Sequence, residues 1–266
     1  MPNKKEIKAI FSLLQTEAGH KEQLTKSLAE FYRKEPKQVY ALAVEYFGVL
    51  PPDLTALFKA NQSGFAKEID TYLKLKNPSL LEGLILIAKI INPQAKREEI
   101  LELFNFARED FDSYLDSTFE IGQKAQVLKT FFFGKMGFKV ANLSRQTELL
   151  NLPEIFKNLT TTPLVLAVVY LIFISPYEVK GDIFEAENKI IVRLRDSFSL
   201  EPVYIDIINR GQFVDEDECH MYAAGNFIKW DSNNIIPLTN IAIFKHLLAN
   251  LIYISGEYGF LSCYLI

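Results

Sequence analysis

Cys219 and His220 are the residues whose types most directly suggest chemistry, because a thiol and an imidazole can form a nucleophile and its base. Neighbouring residues of a helix or strand point in different directions, so this adjacency works against the hydrogen bond that a dyad requires. We therefore interpret Cys219 as a structural or surface residue, and Cys263 in the same way. Of the other histidines, His246 is interpreted as a solvated residue and His20 as a loop residue.

The acidic run Asp215–Glu218 places four carboxylates before His220, as a divalent-metal site could. The run lacks the spaced glycine and terminal Glu of a calcium loop, and a zinc site needs ligands that converge from several positions. Acidic residues are also favoured in the first turn of a helix, because the helix dipole stabilises them there. We predict that a helix begins near Asp215 and that no metal is bound.

The segment Phe131–Lys139 mixes aromatic and basic residues, as single-strand nucleic-acid surfaces do. Three consecutive Phe residues that close a helix more often belong to a core, which is what we predict. The chain has 29 basic and 33 acidic residues and a formal net charge of -4, which argues against nucleic-acid binding. No P-loop, dinucleotide fingerprint, nucleophile-elbow serine or zinc motif occurs, so no cofactor is predicted.

The composition is typical of a globular protein. Of 266 residues, 49% are hydrophobic and only 2 are cysteines, which excludes a disordered chain and a disulfide scaffold. The longest apolar run, Pro163–Ile174, is far shorter than the roughly 20 residues of a membrane helix. Glu6 and Glu17 interrupt the apolar stretch near the start, unlike an export signal. We expect a cytoplasmic protein with free thiols and no membrane contact.

The first half of the chain is predicted to be helical, because its apolar residues recur at helical spacing up to about Phe133. One helix has a defined start, since Ser79 and Glu82 form the S-x-x-E pattern of a capping box. Lys76-Asn77-Pro78 interrupts the helical pattern. We place a domain boundary there, between a helical region at 1–76 and a main domain at 77–266.

After Phe138 the pattern changes to a buried helix followed by strands. The segment TTTPLVLAVVYLIFI predicts a helix with Thr162 as N-cap and Pro163 in the first position, and it is apolar on all sides, as a central helix is. The runs Lys189–Arg195 and Val203–Ile208 predict strands, and a last helix is capped by Asn240. This order of elements predicts an α+β fold.

Several segments resemble the SirB-type transglutaminase-like family of bacterial proteins and occur in that family's order. They are FFFGKMGF, TPLVLAVVY, VYIDIINRGQFVDEDE and TNIAIFKHLLANLIYISGEYG. KKEIKAIFSLL and SLLEGLILIAKIINP resemble the version of the family found in Bacteroidetes. The resemblance implies accessory helices to about residue 133, then a papain-like α+β core in which a central helix packs on an antiparallel sheet.

The resemblance also implies three catalytic positions, of which the sequence retains at most one. In the wider superfamily a Cys begins the central helix, a His lies on the first following strand and an Asp on the next. Here these positions align with Val165, Lys189 and Asp206, and the turn glycine is Gly211. Lys189 and Asp206 would form a cross-strand ion pair in place of the His–Asp contact. That pair would be either an ordinary exposed salt bridge or a retained ligand contact.

Two functions remain open at this point. The first is a catalytically inactive member of the family that acts as a binding or scaffolding module, with a protein or peptide as its partner. The second is an acyl-transfer or amide-hydrolysis enzyme with a rearranged site that uses Cys219, or a Thr at 160–162 such as Thr162, with Asp206. The second requires a nucleophile within about 4 Å of a base. Otherwise the three threonines are interpreted as helix-capping residues. No oligomeric state is predicted.

Overall fold

The computed structural model divides the chain into two compact units. The described residues are 4–16, 21–34, 36–48, 51, 54, 65–92, 94–116, 118–141, 146–186, 189–197, 199, 201–224 and 237–255. One unit contains the described residues up to Lys74 together with Ser255, and the other spans Leu75–Ile254. The division lies close to the predicted boundary between residues 76 and 77. His20 and Cys263 lie outside the described residues.

The first unit is helical in its described residues. Its helices are Lys4–Thr16 (α1), Lys21–Lys34 (α2), Pro36–Phe47 (α3) and Phe65–Leu73 (α4). Apolar side chains on one stripe of α1, α2 and α3 form a shared core with Phe11 and Tyr32 as its largest members. On the surface, Lys8 of α1 forms an ion pair with Glu45 of α3 at 2.9 Å. The helical spacing in the sequence is therefore confirmed here.

The second unit begins with the helices that precede the predicted core. They are Leu80–Ile91 (α5), Arg97–Asp112 (α6) and Ile121–Lys129 (α7), and α7 runs into a π-helical turn at Thr130–Lys135. The predicted start of α5 is confirmed, because Ser79 Oγ accepts a hydrogen bond from the Glu82 amide at 3.4 Å. The Glu82 carboxylate also pairs with Arg97 at the start of α6.

A central helix, Pro163–Ile174 (α9), forms the core of the second unit. Short elements lead into it: strand β1 (Lys139–Val140) pairs in parallel with β2 (Thr160–Thr161), and α8 (Leu152–Asn158) lies between them in the chain. Nearly every residue of α9 is buried, as its all-round apolarity predicts. The core prediction for the three Phe residues is also confirmed, because all of them are buried and the Phe132 ring lies 5.0 Å from that of Phe173.

A four-stranded antiparallel sheet follows the central helix, so the predicted α+β fold is confirmed. The strands are β3 (Lys180–Ala186), β4 (Lys189–Arg195), β5 (Val203–Asp206) and β6 (Gln212–Val214), and they pair in chain order. Helix α9 packs closely on this sheet, because a Cβ atom at Gly181 of β3 would collide with Leu171 of α9. The residue opposite Gly181 in the sheet is Leu194, which lies at the same contact.

Two helices follow the sheet, Glu216–Ala224 (α10) and Asn240–Ser255 (α11). The prediction that Asn240 caps the last helix is wrong by one residue, because Thr239 Oγ1 accepts the hydrogen bond from the Ala242 amide at 3.1 Å. Asn240 instead donates through Nδ2 to the Pro78 carbonyl at 2.8 Å. None of the helices in the described residues combines the length and apolarity needed to cross a membrane.

Candidate functional site

The two faces of the four-stranded sheet have different surroundings. Side chains alternate between the faces along each strand. The helix face contains Leu194, together with its same-face neighbours Val192 and Ile205, and packs on α9. The opposite face, here called the outer face, contains Ile191, Tyr204 and Asp206, and an apolar cluster on it includes Cys219 of α10. Every predicted site residue can be assigned to one of these two environments.

Lys189 and Asp206 are brought together on the outer face. Asp206 lies directly opposite Ile191 in the register of β4 and β5, and Lys189 lies two residues before Ile191, so the two are diagonal neighbours. Lys189 Nζ lies 2.8 Å from Asp206 Oδ2. The Asp206 side chain is 0% exposed and that of Lys189 26%. The contact therefore differs from the ordinary exposed salt bridge that was one of its two interpretations.

The Asp206 carboxylate also holds the turn that follows β5. Its Oδ1 accepts hydrogen bonds from the amides of Ile208 at 2.9 Å and Asn209 at 3.1 Å. Its Oδ2 accepts from Asn209 Nδ2 at 2.7 Å as well as from Lys189. Two carboxylate oxygens offer about four acceptor positions in total, so these four donors occupy them. A carboxylate used in this way has no acceptor position left to orient a catalytic base.

Gly211 closes the same turn, and its backbone conformation explains why a glycine occupies this position. Its φ is 70°, in the left-handed region that glycine adopts without strain. A Cβ atom there would lie 2.8 Å from Phe133 Cε2 and 3.2 Å from the Tyr170 hydroxyl. The Gly211 amide donates to the Asp206 carbonyl at 2.9 Å. The resemblance to the family marked this residue as the turn glycine, and the geometry gives the physical reason.

Cys219 lies on the outer face but has the properties of a core residue. It is a free cysteine with 0% exposure. Burial, and then the charges of nearby carboxylates including Asp215, Glu218 and Asp206, raises the pKa of its thiol to about 12. Within the described residues no base forms a hydrogen bond with its sulfur. These surroundings favour the neutral thiol, which is the opposite of what an activated cysteine needs.

Val165 lies on α9, the helix that packs on the other face of the sheet, and Thr162 immediately precedes that helix. Val165 is fully buried. Thr162 occupies the N-cap position as predicted, but its hydroxyl makes no capping bond, and among the described residues it has no hydrogen-bond partner although it is buried. Thr160 and Thr161 donate instead to the carbonyls of Asn158 and Leu149. The capping prediction is therefore confirmed for the position of Thr162 and wrong for Thr160 and Thr161, whose hydroxyls bind backbone carbonyls of neighbouring segments.

The sequence-predicted positions thus form two groups. Lys189 and Asp206 are in contact, and Cys219 lies on the same face of the sheet. Val165 and Thr162 belong to the helix that packs on the opposite face. Neither Cys219 nor Thr162 forms a hydrogen bond with a base among the described residues. The assignment of Val165, Lys189 and Asp206 as former catalytic positions stays a prediction.

The acidic run has the structural role predicted for it. The Asp215 carboxylate accepts from the Glu218 amide at 2.8 Å, and the Glu218 carboxylate accepts from the Asp215 amide at 3.1 Å. The two residues therefore form a reciprocal cap at the start of α10. Within the part of the chain that the structure describes, no group of three or more His, Cys, Asp or Glu side chains could hold a metal ion.

Two systems of polar side-chain contacts were not found by sequence reasoning. Asp182 of β3 lies opposite Arg193 of β4 and accepts from it at 2.8 Å and from Arg195 at 2.7 Å. His246 is exposed, as its interpretation as a solvated residue implies, and its Nδ1 also lies 2.8 Å from Glu185 Oε2. Opposite charges on adjacent strands were the available signal for the first system. No local pattern signals the second, which joins α11 to β3.

The comparisons with known proteins agree with the order of elements. A family model described as Transglutaminase-like superfamily matches residues 95–249, which is more than half of the chain. The matched range begins just before α6 and includes α9, the whole sheet and most of α11. No curated protein and no solved structure matches the chain significantly.

Proposed function

Because the chain belongs to the transglutaminase-like superfamily, we propose that it is a catalytically inactive, SirB-type member whose core acts as a binding or scaffolding module. The SirB-type assignment is supported by the order of the sequence segments quoted above. The observation that supports inactivity most directly is that hydrogen-bond donors already occupy the acceptor positions of the Asp206 carboxylate. Three of the four hydrogen bonds to its carboxylate come from its own turn, and the fourth comes from Lys189.

The residues at the other two family positions are consistent with this proposal on chemical grounds. Acyl transfer by this superfamily requires a nucleophile that attacks a carbonyl carbon and a base that accepts its proton. The Val165 side chain has no nucleophilic atom. An ammonium group such as that of Lys189 donates hydrogen bonds and has no lone pair with which to accept a proton. A stable ion pair therefore replaces the catalytic contact.

The alternative enzyme needs Cys219 or a Thr at 160–162 as its nucleophile. Cys219 and Thr162 are buried, and no described base forms a hydrogen bond with either of them. The hydroxyls of Thr160 and Thr161 donate to backbone carbonyls. This arrangement supports the binding role over the alternative. The partner predicted from the sequence, a protein or a peptide, stays a prediction.

An assay for ammonia release from a glutamine-containing dipeptide tests the proposal on the full chain. We expect no release above that of buffer from the wild-type protein. The variants Cys219→Ala and Thr162→Val serve as matched controls for the alternative enzyme. Release by the wild type that either variant abolishes would overturn the proposal and identify the nucleophile.

A further inference from the structure

A surface cavity of about 600 Å³ lies next to the turn that Asp206 holds. One wall is formed by the end of α7 and the π-helical turn, and the other by the turn between β5 and β6. Its lining includes Gln126, Lys129, Thr130, Phe133, Asn209 and Arg210. The volume falls within the range of roughly 300 to 1,000 Å³ typical of small-molecule sites.

The charges at this cavity have one sign. Lys129 and Arg210 both line it, and its lining contains no carboxylate. In the part of the chain that the structure describes, neither cation forms an ion pair. The Lys129 ammonium instead lies 5.5 Å from the centre of the Phe213 ring, and the chain as a whole has a formal net charge of -4. The two cations have no carboxylate beside them in the cavity, so their charges favour the binding of an anionic ligand there.

Arg210 is held in position from both walls. One of its guanidinium nitrogens donates to the Phe133 carbonyl at 3.3 Å. After the π-helical turn, the Met136 and Phe138 amides donate to the carbonyls of Phe131 and Phe132, both at 2.8 Å, so neither of these bonds uses the Phe133 carbonyl. Arg210 itself has a φ of 55°, in the left-handed region. The remaining guanidinium donors keep the planar fork that binds phosphate or carboxylate oxygens in pairs.

The turn that carries Arg210 is built on Asp206. The carboxylate accepts from the amides of Ile208 and Asn209, and the Gly211 amide donates to the Asp206 carbonyl. The Gln212 amide then donates to the Asn209 carbonyl at 3.2 Å. These bonds fix the backbone on both sides of Arg210, so Asp206 acts on the cavity as a positioning residue. Phe133, which is 6% exposed, supplies an apolar part of the lining.

We propose that this cavity binds the oxyanion of a small organic phosphate between Lys129 and Arg210, with the organic part of the ligand against Phe133. This inference rests on the proposed binding role of the core, and it specifies the chemical class of the ligand that the core binds. Thr130 also lines the cavity, and its hydroxyl oxygen accepts a hydrogen bond from Gln126 Nε2 at 3.1 Å. Because the cavity is much larger than one phosphate group, an organic phosphate should bind more tightly than inorganic phosphate.

Calorimetric titration of the full chain with phenyl phosphate and with inorganic phosphate, at an ionic strength held constant with sodium chloride, tests the proposal. We expect saturable binding of one phenyl phosphate per chain, tighter than that of inorganic phosphate. Arg210→Asn, which keeps a residue that tolerates the left-handed conformation, and Lys129→Gln should each weaken binding roughly tenfold or more. Lys157→Gln removes an exposed charge on α8, outside the cavity, and should change nothing.

If Arg210→Asn does not fold, the variants at Lys129 test the proposed site without it. Lys129→Arg keeps the charge and should retain binding that Lys129→Gln loses. Absence of saturable binding, or equal binding by the wild type and Lys129→Gln, would overturn the proposed ligand site. The proposed function fails by a separate result, the release of ammonia described above, so the two failures are distinguishable.

Discussion

The two faces of the sheet are built from adjacent residues of the same strands, yet they are stabilised in different ways. On β5, Ile205 lies on the helix face and Asp206 on the outer face. Ile205 is fully buried among apolar side chains, whereas Asp206 is buried among hydrogen-bond donors. The helix face contains the structural core, and the outer face contains the ion pairs of Asp182 and Asp206 beside Cys219.

The two faces therefore have different roles. Apolar packing on the helix face stabilises the fold, and polar contacts on the outer face position the residues of the site. Apolar packing on the helix face is non-directional, and its contribution depends on the area buried. The polar groups of the outer face are directional, and each buried one needs a partner with good geometry. A substitution on the helix face should therefore destabilise the whole unit, whereas a substitution at the Asp206 turn should also affect the cavity beside it.

The largest effect is expected from Ile205→Ala. This substitution removes a fully buried side chain from the helix face of the sheet, so the free energy of unfolding should fall by about 3 to 4 kcal/mol. Ile205→Val is the matched control and should cost about 1 kcal/mol. Urea denaturation measures both. A loss from Ile205→Ala no larger than that from Ile205→Val would show that the helix face is not the structural core.

A smaller loss is expected from Asp206→Ala, which leaves the amides of its turn and the Lys189 ammonium without their acceptor. The cost should be about 2 to 3 kcal/mol, because hydrogen bonds to a buried charge are lost while the partly exposed Lys189 can turn to water. Lys189→Met leaves three of the four donors to the carboxylate and should cost only about 1 kcal/mol. Denaturant titration measures the free energy of unfolding of both variants. Equal losses would mean that Asp206 stabilises the protein through its ion pair with Lys189 and not through its turn.

The smallest effect concerns the pH dependence caused by Cys219. Because its pKa in the folded protein is about 12, above the roughly 8.5 of an ordinary thiol, the folded form keeps a proton that the unfolded form loses. The stability contributed by the neutral thiol is therefore complete below about pH 8.5 and declines above it. Relative to Cys219→Ala, the wild type should lose about 1 kcal/mol between pH 8 and pH 9.5. A difference that stays constant over this range would contradict the burial of the thiol.

The fold could be predicted largely from local patterns. The all-round apolarity of the segment after Thr162 indicated a central helix, and the β-branched runs at Lys189–Arg195 and Val203–Ile208 indicated neighbouring strands. These signals are short-range, so one sequence is enough to show them. The error at Asn240 came from the same source, because Thr239 and Asn240 are both good capping residues and only tertiary contacts decide between them.

The site could be predicted only in part. Alignment with the family paired Lys189 with Asp206, but the face of the sheet on which they lie depends on the register between β4 and β5. The pairing of His246 with Glu185, and of Arg210 with the Phe133 carbonyl, joins residues far apart in the chain. A π-helical turn gives no clear sequence signal of its own. The cavity that it helps to form was therefore missed.

Alkylation of Cys219 by iodoacetamide tests the absence of thiol chemistry most directly. The rate is measured on the folded full chain from pH 5 to 9 by mass spectrometry of the peptide that contains Cys219, with the chain in denaturant as the reference. We predict that Cys219 reacts much more slowly in the folded protein than in the denatured chain at every pH, with no rise in rate centred below about pH 8.5. Rapid alkylation in the folded protein with a midpoint below pH 7 would identify an activated thiol and contradict the proposed inactive core.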